Sequence, residues 1–495
     1  MKDRAIVIGS GFAGLSSAAA LAKRGYDVLV IEKNAVPGGR ARVLKENGYV
    51  FDMGPSWYWM PDIFEEWFSR FGENVNDHLD LVRLDPSYQV IHGPDDRWDI
   101  PADKAALRAL FERIEPGAGA RLDRFLNEAR VKYELGMNDL VRGPALSWAE
   151  YAKPRVLSGM LSTTALSSLQ RHVRASFSDP RLRMLLEFPV LFLGATADRI
   201  PALYSLMNYA DMVLGTWYPM GGMGRIVEGM VKVAERQGVQ FSFNEAVERV
   251  MVEDGRVRGV RTHGGELRAD VVVATADYHH VDQCLLAPEH RSYSPSYWES
   301  RTMAPSSLLF YMGFDRRLPQ LRHHNLFFDR SLVKHGQEIY DSPQWPSDPL
   351  FYTCVPSITD PSVAPHGHEN VFGLIPIAPG VPDTEEVRRK YRNLFLDRLS
   401  AHTGVALHDH LVHERSYCIN DFMADYNAFR GNAYGLANTL KQTAVLKPSM
   451  KSKKVRGLYF AGQLTSPGPG VPPALISGLN VAELIVKETP NRAKA

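Results

Sequence analysis

The chain has 495 residues, with 57 Lys and Arg against 56 Asp and Glu and a formal net charge of +1. At about 100–200 residues per domain this is a two- or three-domain protein, and its balanced charge offers no basic field that would release counterions from nucleic acid, which is excluded as a partner. The three cysteines, Cys284, Cys354 and Cys418, stand far apart with no Cys-x-x-Cys and no His pair at zinc spacing, so they read as core thiols of a reducing compartment, with no metal expected.

The first strand, Ala5-Ile6-Val7-Ile8, starts too soon to follow a secretory signal, which predicts a cytoplasmic protein. Gly9-Ser10-Gly11-Phe12-Ala13-Gly14 follows it and opens into an apolar helix from Leu15 to Arg24. Strand, glycine turn and helix in that order form a dinucleotide cradle. Gly9 permits the tight turn, Gly11 lets backbone approach a pyrophosphate, and Gly14 lets the helix sit close to the strand, with the N–H groups of its first turn facing the phosphates. Asp27–Ile31 reads as the next strand, with Glu32 at its tip, where a carboxylate accepts ribose hydroxyls and argues against a 2′-phosphate.

NAD and FAD both use this unit, and the stretch from Lys33 to Arg42 discriminates between them. In Gly38-Gly39-Arg40 the glycines let the chain pass against the dinucleotide, and the arginine fork meets pyrophosphate oxygens; a plain Pro-Gly-Gly hairpin is the competing reading. Phe51-Asp52-Met53-Gly54-Pro55 and an aromatic stretch through Met60-Pro61 come next. The most apolar segment of the middle, Leu185 to Leu193, is interrupted by Glu187 and Pro189 and falls well short of the ~18 residues of a membrane span. Residues 238–243, 246–253, 257–263 and 269–274 read as successive strands, the last entering Thr275-Ala276-Asp277. Towards the C-terminus, Gly457 to Gly462 reads as a short strand, followed by the loop Gln463 to Gly470 and a helix from Val471 to Lys487 with Pro472 and Pro473 in its first turn. The N-terminus of that helix suits a flavin pyrimidine edge, which becomes anionic on reduction; a helix that merely covers the sheet is the alternative.

These motifs, with Trp217-Tyr218-Pro219-Met220-Gly221-Gly222-Met223 and Glu187-Phe188-Pro189-Val190-Leu191-Phe192-Leu193-Gly194-Ala195, occur in the order seen in bacterial-type phytoene desaturases. The chain resembles that family, in the carotenoid-desaturase branch of the glutathione-reductase-like flavoproteins, over nearly its whole length. The resemblance implies a fold of mixed α/β and α+β class. A discontinuous Rossmann-type FAD-binding domain would comprise residues 1–75, 220–290 and 445–495, and an inserted substrate-binding domain of mixed sheet and helices residues 76–219 and 291–444. FAD would be held by Gly9, Gly11, Phe12, Ala13, Gly14, Glu32, Lys33, Gly39, Arg40, Gly54, Pro55, Val247 on the adenine side, Gly462, Gln463, Val471 and Pro472. Gln463 departs from the acidic residue that many relatives of the wider group place after this glycine.

The activity implied is dehydrogenation of phytoene or a similar linear carotene: an allylic hydride leaves for flavin N5, the cation is delocalised along the polyene, and a proton leaves the neighbouring carbon. Such a hydrocarbon needs an apolar tunnel, for which Trp57, Tyr58, Trp59, Phe188, Phe192 and Trp217 are candidates, with Tyr204, Met207, Tyr209 and Met220; ordinary core is the competing reading. Glu150 is the one candidate polar group near the reacting bond, against a plain surface carboxylate. The segment from Lys153 to Arg174, with Arg155 and Arg171 at its basic ends, reads as an interfacial helix that seats the protein peripherally on the inner face of the cell membrane, or as a packed core helix. Carotenoid isomerases, saturases and terminal oxygenases share the same motifs, and a binding protein related to Rab GDP-dissociation inhibitors is the reading from another class. The oligomeric state is left open.

Overall fold

A computed structural model describes residues 2–165 and 167–489. Among these, five strands form a parallel sheet in the order Leu458–Phe460, Val271–Ala274, Arg4–Ile8, Asp27–Ile31, Gln240–Ser242. Strands far apart in the chain meet because the middle strand, Arg4–Ile8, is apolar and buried along Ala5 to Ile8 and must be covered on both edges and both faces. The helix Phe12–Lys23 covers one face and is itself covered by the C-terminal helix Val471–Glu488. That contact needs a glycine: a Cβ at Gly478 would lie 2.4 Å from the Ala13 carbonyl oxygen. Beside it, Ser16 Oγ donates to the Leu475 carbonyl at 2.8 Å and accepts from Trp67 Nε1 at 3.0 Å, so the two ends of the chain are locked together.

A three-stranded antiparallel sheet, Val247–Glu253, Arg256–Thr262 and Gly265–Arg268, leans on the outer side of the parallel one. Its third strand was not expected from sequence, because Gly264-Gly265 reads as a turn and Leu267, between Glu266 and Arg268, is the single apolar residue of the strand.

The second large sheet has seven described strands in the order Leu411–Tyr417, Ser306–Phe314, Glu369–Ile377, Phe351–Cys354, His324–Phe327, Tyr88–Ile91, Arg97–Ile100. Its two longest strands, Ser306–Phe314 and Glu369–Ile377, are buried at all nine positions each, as a sheet covered on both faces requires. The helix Glu385–Thr403 covers one face, so closely that a Cβ at Gly373 would meet the Phe395 ring at 2.6 Å. The other face carries Tyr311, Tyr352, Phe372 and Leu326 into an apolar cluster with Phe188, Trp57 and the helix Ala118–Leu135.

The segment 153–174 is not one helix. Pro154–Ser162 and Leu169–Ser176 are separate helices, and Ser168 caps the second by accepting from Arg171 N at 3.3 Å. Leu169 and Val173 of the second are fully buried, so this half is a core helix with Arg171 and Arg174 on its outer face. Leu166 and the side chains of Leu157, Met160 and Leu161 lie outside the described residues. Among the described residues no helix is long and apolar enough to cross a membrane.

Candidate functional site

The glycine turn after Arg4–Ile8 is pinned by its neighbours: Gly9 N donates to the Ile31 carbonyl at 2.8 Å, and Thr275 Oγ1 donates to the Ile8 and Gly9 carbonyls at 2.9 and 3.0 Å. A Cβ at Gly14 would sit 2.1 Å from the Gly9 oxygen, so helix and turn approach as only glycine allows. Gly11 is different, since a Cβ there meets no protein atom within 4 Å and its φ of −72° suits any residue. Its glycine character answers to no protein contact, which fits a dinucleotide phosphate lying against this backbone, beside the N–H groups of Phe12 and Ala13.

The Gly38-Gly39-Arg40 turn docks on the same loop. Gly38 N donates to the Ser10 carbonyl at 3.0 Å, and a Cβ at Gly39 would come within 3.3 Å of Gly11 Cα. Gly54, followed by Pro55, closes in behind, its would-be Cβ 2.7 Å from the Arg40 carbonyl. Glu32 is buried and its carboxylate accepts from Ser10 N at 2.9 Å, Ser10 Oγ at 2.8 Å, and both Asn34 N and Asn34 Nδ2 at 2.9 Å. It therefore ties the tip of the second strand to the glycine loop. Glu245 N donates to the Glu32 carbonyl at 2.9 Å, and Val247 follows two residues beyond that contact. Lys33 turns away, its Nζ donating to the Ala424 carbonyl at 2.6 Å.

Arg40 Nη2 donates to the Asn432 carbonyl at 3.2 Å, its guanidinium lies 5.2 Å from the Tyr426 ring centre, and its Nε is buried without a partner among the described residues. Burial lowers its pKa, an effect partly offset by the Asp277 carboxylate, and burial in turn raises that of Asp277. The Gln463 amide lies 2.9 Å from Asn432 Oδ1, its oxygen facing the Arg40 Nη2 donor at 3.1 Å and its nitrogen the Ala433 carbonyl at 3.2 Å, and Gly462 N donates to Ser477 Oγ at 2.9 Å, so the loop before Val471 and Pro472 is anchored on both sides.

Sequence reasoning missed four residues of this region. Asn432 is a fully buried hub: its Oδ1 accepts from Gly435 N at 2.9 Å, its Nδ2 donates to the Phe429 carbonyl at 2.8 Å, and its carbonyl accepts from Arg40. Asp52 accepts from Met223 N at 2.7 Å and Gly224 N at 3.0 Å and so caps the helix Gly224–Arg236 from a distant strand; the two quoted motifs around Asp52 and Met223 were its only signal. Loss of hydration pushes its pKa up to about 6, against the pull of those two amides. Lys447 Nζ and Asn438 Oδ1 are both buried without partners among the described residues, and both lie against Gly468 in the loop before the C-terminal helix. Burial brings the lysine down to about 7.

The tunnel candidates divide between two apolar clusters. Trp57, Trp59, Phe188 and Phe192 join the one on the seven-stranded sheet, whereas Tyr58 and Trp217 join the one under the parallel sheet, where Tyr58 stacks on Phe64 at 4.5 Å. The cause is strand geometry, because neighbouring residues of the extended stretch 57–59 point to opposite sides. Tyr204 borders the first cluster, Tyr209 the second and Met207 both. Glu150 has a different occupation from the one expected: its carboxylate accepts from Ala145 N, Leu146 N and Ser147 N at 3.1, 2.7 and 3.1 Å, closing its own turn as a capping box. Of the cysteines, Cys354 and Cys418 are buried as expected, but Cys284 is exposed.

Residues 12–486 match the family described as flavin containing amine oxidoreductase. The chain is 41% identical over 483 residues, covering 97% of itself and 98% of the relative, to a protein of Haloarcula japonica named carotenoid 3,4-desaturase. It is 35% identical over 489 residues, covering 98% and 94%, to the zeta-carotene-forming phytoene desaturase of Myxococcus xanthus. Among solved structures, an oxidoreductase of Methanosarcina mazei shares the fold with a TM-score of 0.63 at 18% identity, covering 97% of this chain and all of that one (100%). The chain belongs to the flavin-containing amine oxidoreductase family and is an FAD-dependent oxidoreductase.

Proposed function

We propose that this protein is an FAD-dependent desaturase of linear carotenoids, acting on a CH–CH unit next to a conjugated polyene. The observation that carries this reading is kinship over nearly the full length, including the substrate side of the molecule, with relatives named for carotenoid desaturation. In the bound state Gly9, Gly11 and Gly14 would cradle the pyrophosphate with the N–H groups of Phe12 and Ala13, Glu32 would accept from the adenosine ribose, and Arg40 would neutralise phosphate charge. The helix that begins at Val471-Pro472 would face the flavin pyrimidine edge, with Lys447 Nζ and Asn438 Oδ1, which have no partner among the described residues, as a donor and an acceptor nearby. Bound FAD supplies the two-electron acceptor for the hydride lost from the allylic carbon.

A carotene presents no group for hydrogen bonding, so the protein must hold it by apolar burial, at roughly 25 cal/mol per Å². Trp57, Trp59, Phe188 and Phe192 share one apolar cluster against the sheet and supply such a wall. Tyr58 and Trp217 would contribute from the other cluster, under the parallel sheet.

The substrate arrives from lipid, and the proposed seat on the bilayer is the surface around Trp148. That residue is 61% exposed, Leu440 is 56% exposed, and Leu146 and Leu446 are exposed beside them in the chain. Both segments touch the loop that leads to the C-terminal helix: Tyr151 neighbours Ser466, and Lys447 and Asn438 pack on Gly468. Exposed Lys153, Arg155 and Lys441 add attraction to anionic headgroups. The inner face of the cell membrane is the seat this implies.

The name of the Haloarcula relative favours a second, finer reading, in which the bond desaturated is the 3,4 bond of an already conjugated chain. One experiment tests both. The purified protein with FAD is offered phytoene or lycopene in liposomes, and products are identified by chromatography and absorption spectrum. Lengthened polyene from either substrate supports the proposal and tells which bond is attacked; no product from both, with flavin bound, would overturn it.

A further inference from the structure

A second cluster of chemistry-bearing side chains lies on the seven-stranded sheet, at the pairing of His324–Phe327 with Phe351–Cys354. The register sets His324 opposite Cys354, so an imidazole and a thiol share one face of the sheet. His323 is held just before the strand, its carbonyl accepting from Val355 N at 2.7 Å. All three are buried: His323 is 4%, His324 0% and Cys354 4% exposed.

Both rings are oriented through Nδ1. That of His323 lies 2.8 Å from Thr359 Oγ1, and that of His324 lies 2.6 Å from the Tyr352 hydroxyl, which lies 2.9 Å from Ser56 Oγ. Aromatic neighbours fix the planes: Trp57 stacks on His324 at 4.1 Å and Tyr218 lies 4.6 Å from His323. The remaining nitrogens, Nε2 of both residues, are buried without a hydrogen-bond partner among the described residues. A ligand atom from each of His323, His324 and Cys354 falls within 4.8 Å of the other two.

Two orphaned nitrogens in one buried spot are costly, since each has given up its water without gaining a partner. Their arrangement matches what imidazoles bound to metal show, with one nitrogen turned to a hydroxyl or carbonyl that fixes the ring and the other turned to the ion. Two imidazole nitrogens and one sulfur are the donor set of borderline-soft ions. We propose that His323, His324 and Cys354 bind one zinc-type divalent ion through both Nε2 atoms and Sγ. Binding replaces the Cys354 S–H proton, which leaves to solvent, by the ion, and involves no change of oxidation state.

Zinc bonds of about 2.0–2.1 Å to nitrogen and 2.3 Å to sulfur require the three atoms to draw together by roughly 1 Å, a movement within reach of side-chain rotation. The bound ion would join the two strands to each other and, through Tyr352 and Ser56, to the stretch after Gly54-Pro55 that carries Trp57. This inference does not depend on the reaction proposed above.

The test uses the full chain with FAD bound, equilibrated with zinc against a chelator of micromolar affinity and then analysed for metal content. One zinc per chain is expected, with an X-ray absorption edge showing one sulfur and two nitrogens around it. Cys354→Ser and His324→Gln should lower the zinc to background while the flavin spectrum persists, and Cys284→Ser should retain it. Zinc at background in the parent protein would overturn the proposal without recourse to any variant, and so would full retention in Cys354→Ser.

Discussion

At the nucleotide end the decisive positions are glycines, and what matters is the absence of side chains: a Cβ at Gly14 would sit 2.1 Å from the Gly9 oxygen, and one at Gly478 would sit 2.4 Å from Ala13. On the sheet face the decisive positions are large side chains, Trp57 against His324 and Tyr352, held by contacts between residues about 30 to 300 apart in sequence. The glycine turn of the first region is specified by local spacing along the chain, and the second region by strand register. Substitutions should therefore fail differently in the two regions, and within the first region the glycines should themselves divide into those that serve the fold and those that serve the ligand.

The largest expected effect is at Gly14. Gly14→Ala forces the first helix off its strand and should cost about 4 kcal/mol or more, giving insoluble or unfolded protein. Gly11→Ala, which meets no protein atom, should fold with an unchanged melting temperature and lose FAD affinity instead. Thermal melts and flavin titration of the two variants separate fold from ligand. A destabilised Gly11→Ala, or one that binds FAD like the parent, would break the distinction.

In the middle of the chain, Lys132 is fully buried and bonded to Glu128 at 2.9 Å, with Ser205 Oγ at 3.2 Å. Glu128→Gln would leave that cation without its carboxylate and should cost about 3 kcal/mol in denaturant unfolding. Burial alone would raise the Glu128 pKa, but the Thr164 hydroxyl and amide and the Lys132 ammonium outweigh it and hold it down to about 2. A depressed carboxylate contributes stability above its unfolded value near 4.5, lost as pH falls towards 2. The difference in stability between parent and Glu128→Gln should shrink over that window, and a difference independent of pH would contradict it.

Asp52 has the opposite sign. Its raised pKa favours the protonated folded state, so its contribution is greatest below 3.8 and is lost as pH rises through about 6. Asp52→Asn should flatten that fall, seen as a melting temperature that gains on the parent between pH 4 and 6. A smaller effect is expected at the surface, where Trp148→Ser should leave the melt unchanged and weaken co-sedimentation with anionic liposomes by about 1–2 kcal/mol.

The same contrast governs what could be read from the sequence. The strand Asp27–Ile31, the helix after the glycine turn and the helix from Val471 were legible because their signals are contiguous: an apolar run, a glycine at a fixed offset, prolines in a first turn. The break at 163–168 was hidden because an apolar pattern continues across it, although Ser168 carried the cap signal. Asn432, Asp52 acting as a remote cap, and the meeting of His324 with Cys354 had no local signature, since each depends on which strands pair. The capping role of Glu150 was overlooked for the converse reason, its partners being its immediate neighbours.

If electrons pass from a linear carotenoid to the flavin of this chain, anaerobic mixing of the FAD-loaded protein with carotenoid-bearing liposomes will make the transfer visible. Bleaching of the oxidised-flavin absorption together with growth of a longer-wavelength polyene band, in equal amounts, is the predicted result. Flavin that stays oxidised with every carotenoid but is bleached by a simple alkylamine would rule out carotenoid desaturation and return the protein to the amine-oxidising side of its family.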